Sequence, residues 1–273
     1  MILVLLLALP HATAFSPGVH RALAARAIEL ERAVEATAAG AAEGAAAGEA
    51  TAEGPDPVVH ADVALAFARG AADEDLNLAR KWGRWHHYHS PSYAPVRSLG
   101  RHPSADRVAW LDDRIRVAAA VGNRRGVWLH AGQLAHHVQD MASPPHVVPV
   151  AHGLFDRFES YVDIAMVATV TGDGVATLPA ALGPAAAQQR LAEDTTAALA
   201  IPLVCDLETM DWSAFWAPRP GVFGAYGTAG NRFGALPACA SGMEAFARAR
   251  LEAALAYTRA VVRYVAGLSI VGP

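Results

Sequence analysis

The stretch from His130 to Asp156 reads HAGQLAHHVQDMASPPHVVPVAHGLFD. Apolar residues recur at helical spacing before it and inside its first half, and no breaker interrupts them, which predicts a helix from Arg125 to Met141. Residues four apart lie on one face of a helix. His136 and Asp140 would therefore direct an imidazole and a carboxylate toward one point.

Two prolines end this predicted helix, because a residue that precedes proline avoids the α conformation. The chain turns at Pro144 and Pro145, and His146 can then return toward the same point. His152 and Asp156 repeat the four-residue step on a next predicted helix. Imidazole nitrogen and carboxylate oxygen together form a ligand set suited to zinc and to a hydrolytic metal centre.

The distribution of histidine favours a metal site over the alternative, a histidine-rich surface loop. Nine of the 12 histidines fall between His86 and His152. A solvated loop gives no reason for such clustering, whereas a metal centre needs several ligands close together.

The composition indicates one helical domain. With 273 residues, of which 53% are hydrophobic and many are alanine, the chain can bury a sizeable core. The net charge of −4 implies no general attraction to nucleic acid or to an anionic membrane. Because no internal repeat, second domain or alternating strand pattern is present, we expect an all-α, single multi-helix domain over residues 15–273.

The apolar amino-terminal run MILVLLLALPHATAF ends in a small-x-small motif, Ala12-Thr13-Ala14. This pattern predicts a signal peptide over residues 1–14, with a mature chain that begins at Phe15 and is secreted or periplasmic. The run is too short to span a bilayer. A buried amino-terminal strand or helix is the alternative.

The sequence gives less information on the two cysteines, the Ala/Gly-rich segment and the exact set of helices. Cys205 and Cys239 form either a disulfide of an exported protein or two unpaired core thiols. The Ala/Gly-rich segment 36–54 is assigned no function. The periodicity predicts about seven helices, with an irregular lobe or long loop over 206–237; the helices cover residues 19–36, 58–70, 106–121, 125–141, 158–170, 185–204 and 241–269.

Four short motifs are similar to motifs of one enzyme family. They are FSPGVH from Phe15, GAADED at 70–75, HHYHSP at 86–91 and QDMASPPH at 139–146. Together they resemble the zinc-dependent phospholipase C family, whose wider superfamily includes the single-strand-specific zinc nucleases. The resemblance covers about half of the chain, and it implies an all-α fold that binds three zinc ions.

The resemblance also implies ligand sets for the three ions. One zinc would be held by His87, His136 and Asp140. A second would be held by His146, His152 and Asp156, with Glu159 as a nearby alternative to Asp156. The third would take the amino and carbonyl groups of Phe15, together with His20 and the other oxygen of Asp140.

The chain departs from the family pattern in two places. Phe15 replaces a tryptophan, a change that backbone ligation permits. The interval from His146 to His152 is shorter than in well-known members, which leaves the geometry of the second zinc site open.

The function implied is a secreted, phospholipase C-like phosphodiesterase that hydrolyses a phosphoester with metal-activated water. Asp75 would orient or deprotonate that water, with Asp73 as the alternative if the register shifts. We expect a phospholipid or other phosphodiester substrate, a transient contact with a membrane surface and no obligate protein partner.

Nucleic acid is the substrate only in the alternative reading, a zinc nuclease favoured by the five-residue step from Phe15 to His20 and by Asp156. A catalytically inactive, metal-stabilised domain is the non-enzyme alternative.

Overall fold

Long helices make up most of the chain in the computed structural model, which describes residues 15–45, 61–77, 87–89, 103–148, 150, 156–173, 178–179, 182–219, 224–268 and 270. Helix accounts for 70% of these residues, which confirms the predicted helical class. The predicted signal peptide, His152 and the part of the Ala/Gly-rich segment beyond Ala45 lie outside the described residues.

Five long helices form the body of the described structure: α1 (Pro17–Ala45), α2 (Ala61–Leu76), α3 (Ser104–Ala120), α4 (Arg124–Gln139) and α8 (Pro184–Leu199). A sixth, α9 (Ala240–Ala266), closes the chain. The short helices are α5 (Pro144–Val147), α6 (Arg157–Tyr161) and α7 (Ile164–Ala168). None of the described helices has the length and apolar character needed to cross a bilayer.

Helix α4 is central, because it contacts α1, α2, α3, α8 and α9. Its residues are buried almost continuously from Ala131 to Gln139. Asn123 caps its amino end by accepting a hydrogen bond from the amide of Gly126. At its carboxyl end a 3₁₀ turn, Asp140–Ala142, leads directly into the two prolines of α5.

Two glycines allow α2 and α4 to pack with their backbones in contact. A Cβ atom on Gly132 would overlap the carbonyl oxygen of Phe67, and a Cβ atom on Gly70 would overlap the carbonyl oxygen of Leu129. The two helices can therefore approach this closely only because both positions lack a side chain. The crossing brings the middle of α2, at Phe67, Gly70 and Ala71, against Leu129 and Gly132 in the middle of α4.

Four predicted helices have clearly different bounds in the structure. The helix predicted over 185–204 ends at Leu199, and Leu203–Val204 is a strand. Helix α1 continues through the alanine-rich region to Ala45. Helix α2 extends beyond Gly70 to Leu76, so the GAADED motif is helical. The helix predicted over 158–170 is wrong as a single element: Val162 and Asp163 adopt extended backbone, and Asp163 caps α7 by accepting from the amide of Met166.

The region predicted as an irregular lobe contains two very short antiparallel ribbons. β1 (Leu203–Val204) pairs with β2 (Thr209–Met210), and β3 (Trp216–Ala217) pairs with β4 (Ala225–Tyr226). A cluster of aromatic rings packs against them: Phe158, Trp212, Phe215, Trp216, Phe233 and Phe246. A disulfide between Cys205 and Cys239 ties β1 to the start of α9, which settles the pairing that the sequence left open.

Replacing Gly132 by alanine should destabilise the fold, because the new methyl group would force α2 and α4 apart. We expect Gly132→Ala to lower the free energy of unfolding by about 1–3 kcal/mol in chemical denaturation. Gly267→Ala is the matched control: its Cβ would meet Arg263 O at 3.5 Å and Tyr264 O at 3.6 Å, ordinary contacts. Equal stability of the two variants would contradict the close crossing.

Candidate metal centre

Two helices and the turn that follows α4 bring a histidine and two aspartates together in the protein interior. His136 Nε2 lies 3.3 Å from Asp140 Oδ2 and 3.9 Å from Asp75 Oδ1. Asp140 follows His136 by one helical turn, and Asp75 comes from the end of α2 at the crossing. All three side chains are at most 1% exposed.

His20 reaches the same place from the first turn of α1. Ser16 and Pro17 start that helix, where the Ser16 carbonyl accepts hydrogen bonds from the amides of Val19 and His20. The Nε2 atom of His20 lies 3.4 Å from Asp140 Oδ1 and 3.9 Å from Asp75 Oδ2. The two oxygens of Asp140 therefore face different histidines.

His87 adds a second imidazole to the other oxygen of Asp140. Its Nδ1 atom lies 2.8 Å from Asp140 Oδ2 and 3.0 Å from His136 Nε2. Three groups within this cluster have ligand atoms close enough to share one metal ion: His20 with His136 and Asp140, Asp75 with His87 and His136, and His87 with His137 and Asp140.

Backbone and amide oxygens fix the ring orientation of three of the predicted histidine ligands, His20, His136 and His146. The Nδ1 atom of His136 lies 2.8 Å from the Ala71 carbonyl, and that of His146 lies 2.8 Å from the His87 carbonyl. His20 Nδ1 lies 2.6 Å from the side-chain oxygen of Gln139. Because an amide oxygen can only accept, each Nδ1 carries the proton and donates, and Nε2 is left to face the carboxylates. Metal-binding histidines are held in this way by outer partners.

Burial and neighbouring charges shift the pKa values of three groups in the cluster. Burial opposes ionisation of Asp140, yet His136, His146 and His87 hold its pKa well below the usual value. Burial would lower the pKa of His136, but the charges of Asp140 and Asp75 raise it to about 9. Burial and the neighbouring His136 lower the pKa of His20. At neutral pH His20 thus has a bare Nε2 atom, while His136 holds an extra proton between the carboxylates.

Two buried atoms at the His20 side indicate that the donor set fits a metal ion. His20 Nε2 and Asp140 Oδ1 have no hydrogen-bond partner among the described residues. Both are electron-rich, and a buried polar atom without a partner is destabilising. A cation between them would satisfy both, and their mixture of nitrogen and oxygen suits zinc.

His146 pairs with Glu159 rather than with Asp156. Its Nε2 atom lies 2.9 Å from Glu159 Oε1, which also accepts a hydrogen bond from Ser143 at 3.2 Å. Both His146 and Glu159 are 2% exposed. Of the two acids considered for this position, the structure thus brings Glu159 to the histidine.

Asp156 is instead engaged by three donors. It accepts from the amide of Phe158 at 2.8 Å, from Trp216 Nε1 at 2.9 Å and from the Tyr226 hydroxyl at 2.9 Å. Its backbone is extended, and its side chain caps α6. The prediction that Asp156 lies on a helix, one turn after His152, is therefore wrong for Asp156; His152 is outside the described residues.

A buried polar network that the sequence analysis missed lies beside the cluster. Arg107 donates to both oxygens of Glu74, at 2.7 and 3.3 Å, and His137 Nε2 lies 3.4 Å from the same carboxylate. Ser104 lies 2.9 Å from His137 Nδ1 and accepts from Gln188. Burial lowers the pKa of His137 to about 4. Since both of its ring nitrogens are occupied, His137 supports the cluster and is a weaker ligand candidate than His87.

Phe15 lies at the edge of the cluster. Its ring is fully buried, with its centroid 5.7 Å from that of His20 and 5.9 Å from that of Phe158. The residue predicted to begin the mature chain is therefore next to the first predicted histidine ligand.

Comparison of the chain with protein-family models, with curated proteins and with solved structures found no match.

Metal binding should release a proton from His136. Its pKa of about 9 means that at neutral pH the metal-free protein holds a proton where a metal would bind. We expect apparent zinc affinity to rise with pH up to about 9, and titration calorimetry in buffers of different ionisation enthalpy to show more protons released near pH 7 than above pH 9.

The same proton stabilises the metal-free fold. The pKa of His136 in the folded protein lies above the ordinary histidine value of 6.5, so this contribution is complete below pH 6.5 and is lost as pH rises through about 9. Proton release on zinc binding that stays the same between about pH 6.5 and pH 9 would contradict the raised pKa of His136.

Glu159→Gln and Asp156→Asn separate the two acids near His146. If Glu159 is the ligand, Glu159→Gln should weaken binding of one metal ion about 10- to 100-fold, because the anionic oxygen that faces His146 is lost. Asp156→Asn should mainly lower stability, because one acceptor oxygen is lost while the three donors that face the side chain remain. Chelator competition and thermal unfolding measure the two effects, and the reverse pattern would restore Asp156 as the ligand.

Proposed function

We propose that this chain is a zinc-dependent phosphoric diester hydrolase of the phospholipase C and zinc nuclease type. The observation that carries the proposal is the convergence of His20, Asp75, His87, His136 and Asp140 at one buried point from four separate parts of the chain. These are the residues that the resemblance assigns to the zinc ligands and to the catalytic acid.

The donor set supports hydrolysis better than a purely structural role. Structural zinc sites use mainly cysteine thiolates with histidine, and here both cysteines are in a disulfide. Histidine with carboxylate, in more than one overlapping group, is typical of centres that cleave phosphoesters. When bound, zinc ions would hold phosphate oxygens and make a water molecule more acidic.

The chain's own residues have distinct proposed roles. His20, His87 and His136 present nitrogen ligands, and Asp140 presents one oxygen to each side of the cluster. Asp75 lies 3.9 Å from both His20 and His136, which supports its assignment as the residue that would orient or deprotonate the attacking water.

Processing at residue 14 would add a further ligand group. Cleavage after Ala14 would create a free amino group on Phe15, whose ring already packs against His20. The disulfide between Cys205 and Cys239 supports export, because disulfides form and persist in the oxidising compartments that exported proteins reach. Signal peptide, secretion and the third zinc ion thus form one connected proposal.

A substrate screen tests the reaction class. The zinc-loaded protein should hydrolyse a generic aryl phosphodiester and lose that activity on chelation. Phosphatidylcholine vesicles and single-stranded DNA then distinguish the leading reading from the nuclease alternative, which the five-residue step from Phe15 to His20 favours. Full zinc occupancy without hydrolysis of any phosphoester would leave a metal-stabilised structural domain.

Asp75→Asn should retain its metal and lose most turnover, because the amide cannot accept the proton of the attacking water. A loss of about 10²- to 10⁴-fold is expected for a general base. Asp73→Asn is the matched control in the same helix, since Asp73 is 29% exposed and pairs with Arg69. Wild-type activity in Asp75→Asn, or a comparable loss in Asp73→Asn, would show that the role of Asp75 is wrong.

A further inference from the structure

A chain of three buried hydrogen bonds joins α9 to His20. The Thr258 hydroxyl lies 2.7 Å from the Ala254 carbonyl, one turn earlier in α9. Gln139 Nε2 donates to that hydroxyl at 3.1 Å, and Gln139 Oε1 lies 2.6 Å from His20 Nδ1. The side chains of His20, Gln139 and Thr258 are fully buried.

The direction of every bond in this chain is determined by its first member. The Ala254 carbonyl can only accept, so Thr258 must donate its single hydroxyl proton to it. The Thr258 oxygen is then an acceptor, which fixes the Nε2 end of the Gln139 amide toward it. The Oε1 end consequently faces His20, and Nδ1 of that ring must carry the proton.

This order leaves His20 Nε2 as a lone pair directed at the metal cluster. It lies 3.4 Å from Asp140 Oδ1, and neither atom has a hydrogen-bond partner among the described residues. Asp75 Oδ2 is 3.9 Å away. The opposite tautomer would place a hydrogen on Nε2, donate it to the carboxylates and close this space to a cation.

We propose that Thr258 and Gln139 are positioning residues that fix the tautomer of His20 and thereby make the metal subsite between His20 and Asp140 available. Neither residue belongs to the proposed ligands, and Thr258 comes from the last helix of the chain, 119 positions after Gln139. The inference rests on the proposed function only in taking His20 and Asp140 to be metal ligands.

Thr258→Val and Thr258→Ser form the test pair, each made in the full chain. Valine matches threonine in shape but offers no acceptor, so the Gln139 amide is free to rotate and donate to His20 Nδ1. We expect Thr258→Val to bind one zinc ion fewer per chain than the wild type, or to bind that ion about 10- to 100-fold more weakly in chelator competition. Thr258→Ser keeps the hydroxyl and should match the wild type.

Nitrogen-15 spectra of the histidine rings give a readout that a purely structural role would not change. Metal-free wild-type protein should show His20 with its proton on Nδ1, and Thr258→Val should move it to Nε2. Wild-type protein with the proton on Nε2 would overturn the inference, even if Thr258→Val failed to fold.

The metal measurements separate this inference from the proposed function. Wild-type protein that binds no zinc would remove the proposed function, while the tautomer prediction could still be checked. Wild-type protein that binds zinc, with Thr258→Val binding it equally well at every site, would overturn the positioning role alone.

Discussion

The close crossing of α2 and α4 is the constraint on which the rest of the site depends. Without side chains at Gly70 and Gly132, the two backbones meet. That contact lets the Ala71 carbonyl accept from His136 Nδ1 at 2.8 Å and sets Asp75 beside the same ring. A wider crossing would separate the acid from the histidine and release the ring from its anchor. Helix packing, rather than a flexible loop, therefore determines the geometry of the cluster.

The buried ionisable groups belong to two adjacent networks with different partners. Glu74, one position before Asp75, is held by Arg107 and His137, which keep its pKa well below the usual value despite burial. Asp75 and Asp140 instead face histidines whose Nε2 atoms are turned toward them. One network is satisfied by its own side chains, whereas the other contains groups whose ligand atoms lie close enough together to hold a metal ion. This contrast makes the cluster, rather than the ion pair of Glu74 with Arg107, the candidate metal centre.

Local spacing predicted a good part of this arrangement. The four-residue step from His136 to Asp140 and the prolines after it follow from rules that act over one turn of chain. The link from His20 to Asp140 could come only from the resemblance, because no local rule connects residues so distant. The cap at Asp156, its contact with Trp216 and the pairing of His146 with Glu159 depend on tertiary packing around short ribbons that carry no strand signal. The contact between Thr258 and Gln139 could not be predicted, since a threonine within an apolar helical pattern carries no sequence signal of its partner.

The central claim is that these histidines and aspartates hold metal ions. Anomalous diffraction at the zinc edge, from crystals of the protein prepared with zinc, tests it most directly. The account predicts anomalous peaks about 2.0–2.2 Å from His20 Nε2, His136 Nε2 and the oxygens of Asp140. An ordered cluster with no anomalous peak among these atoms would contradict it.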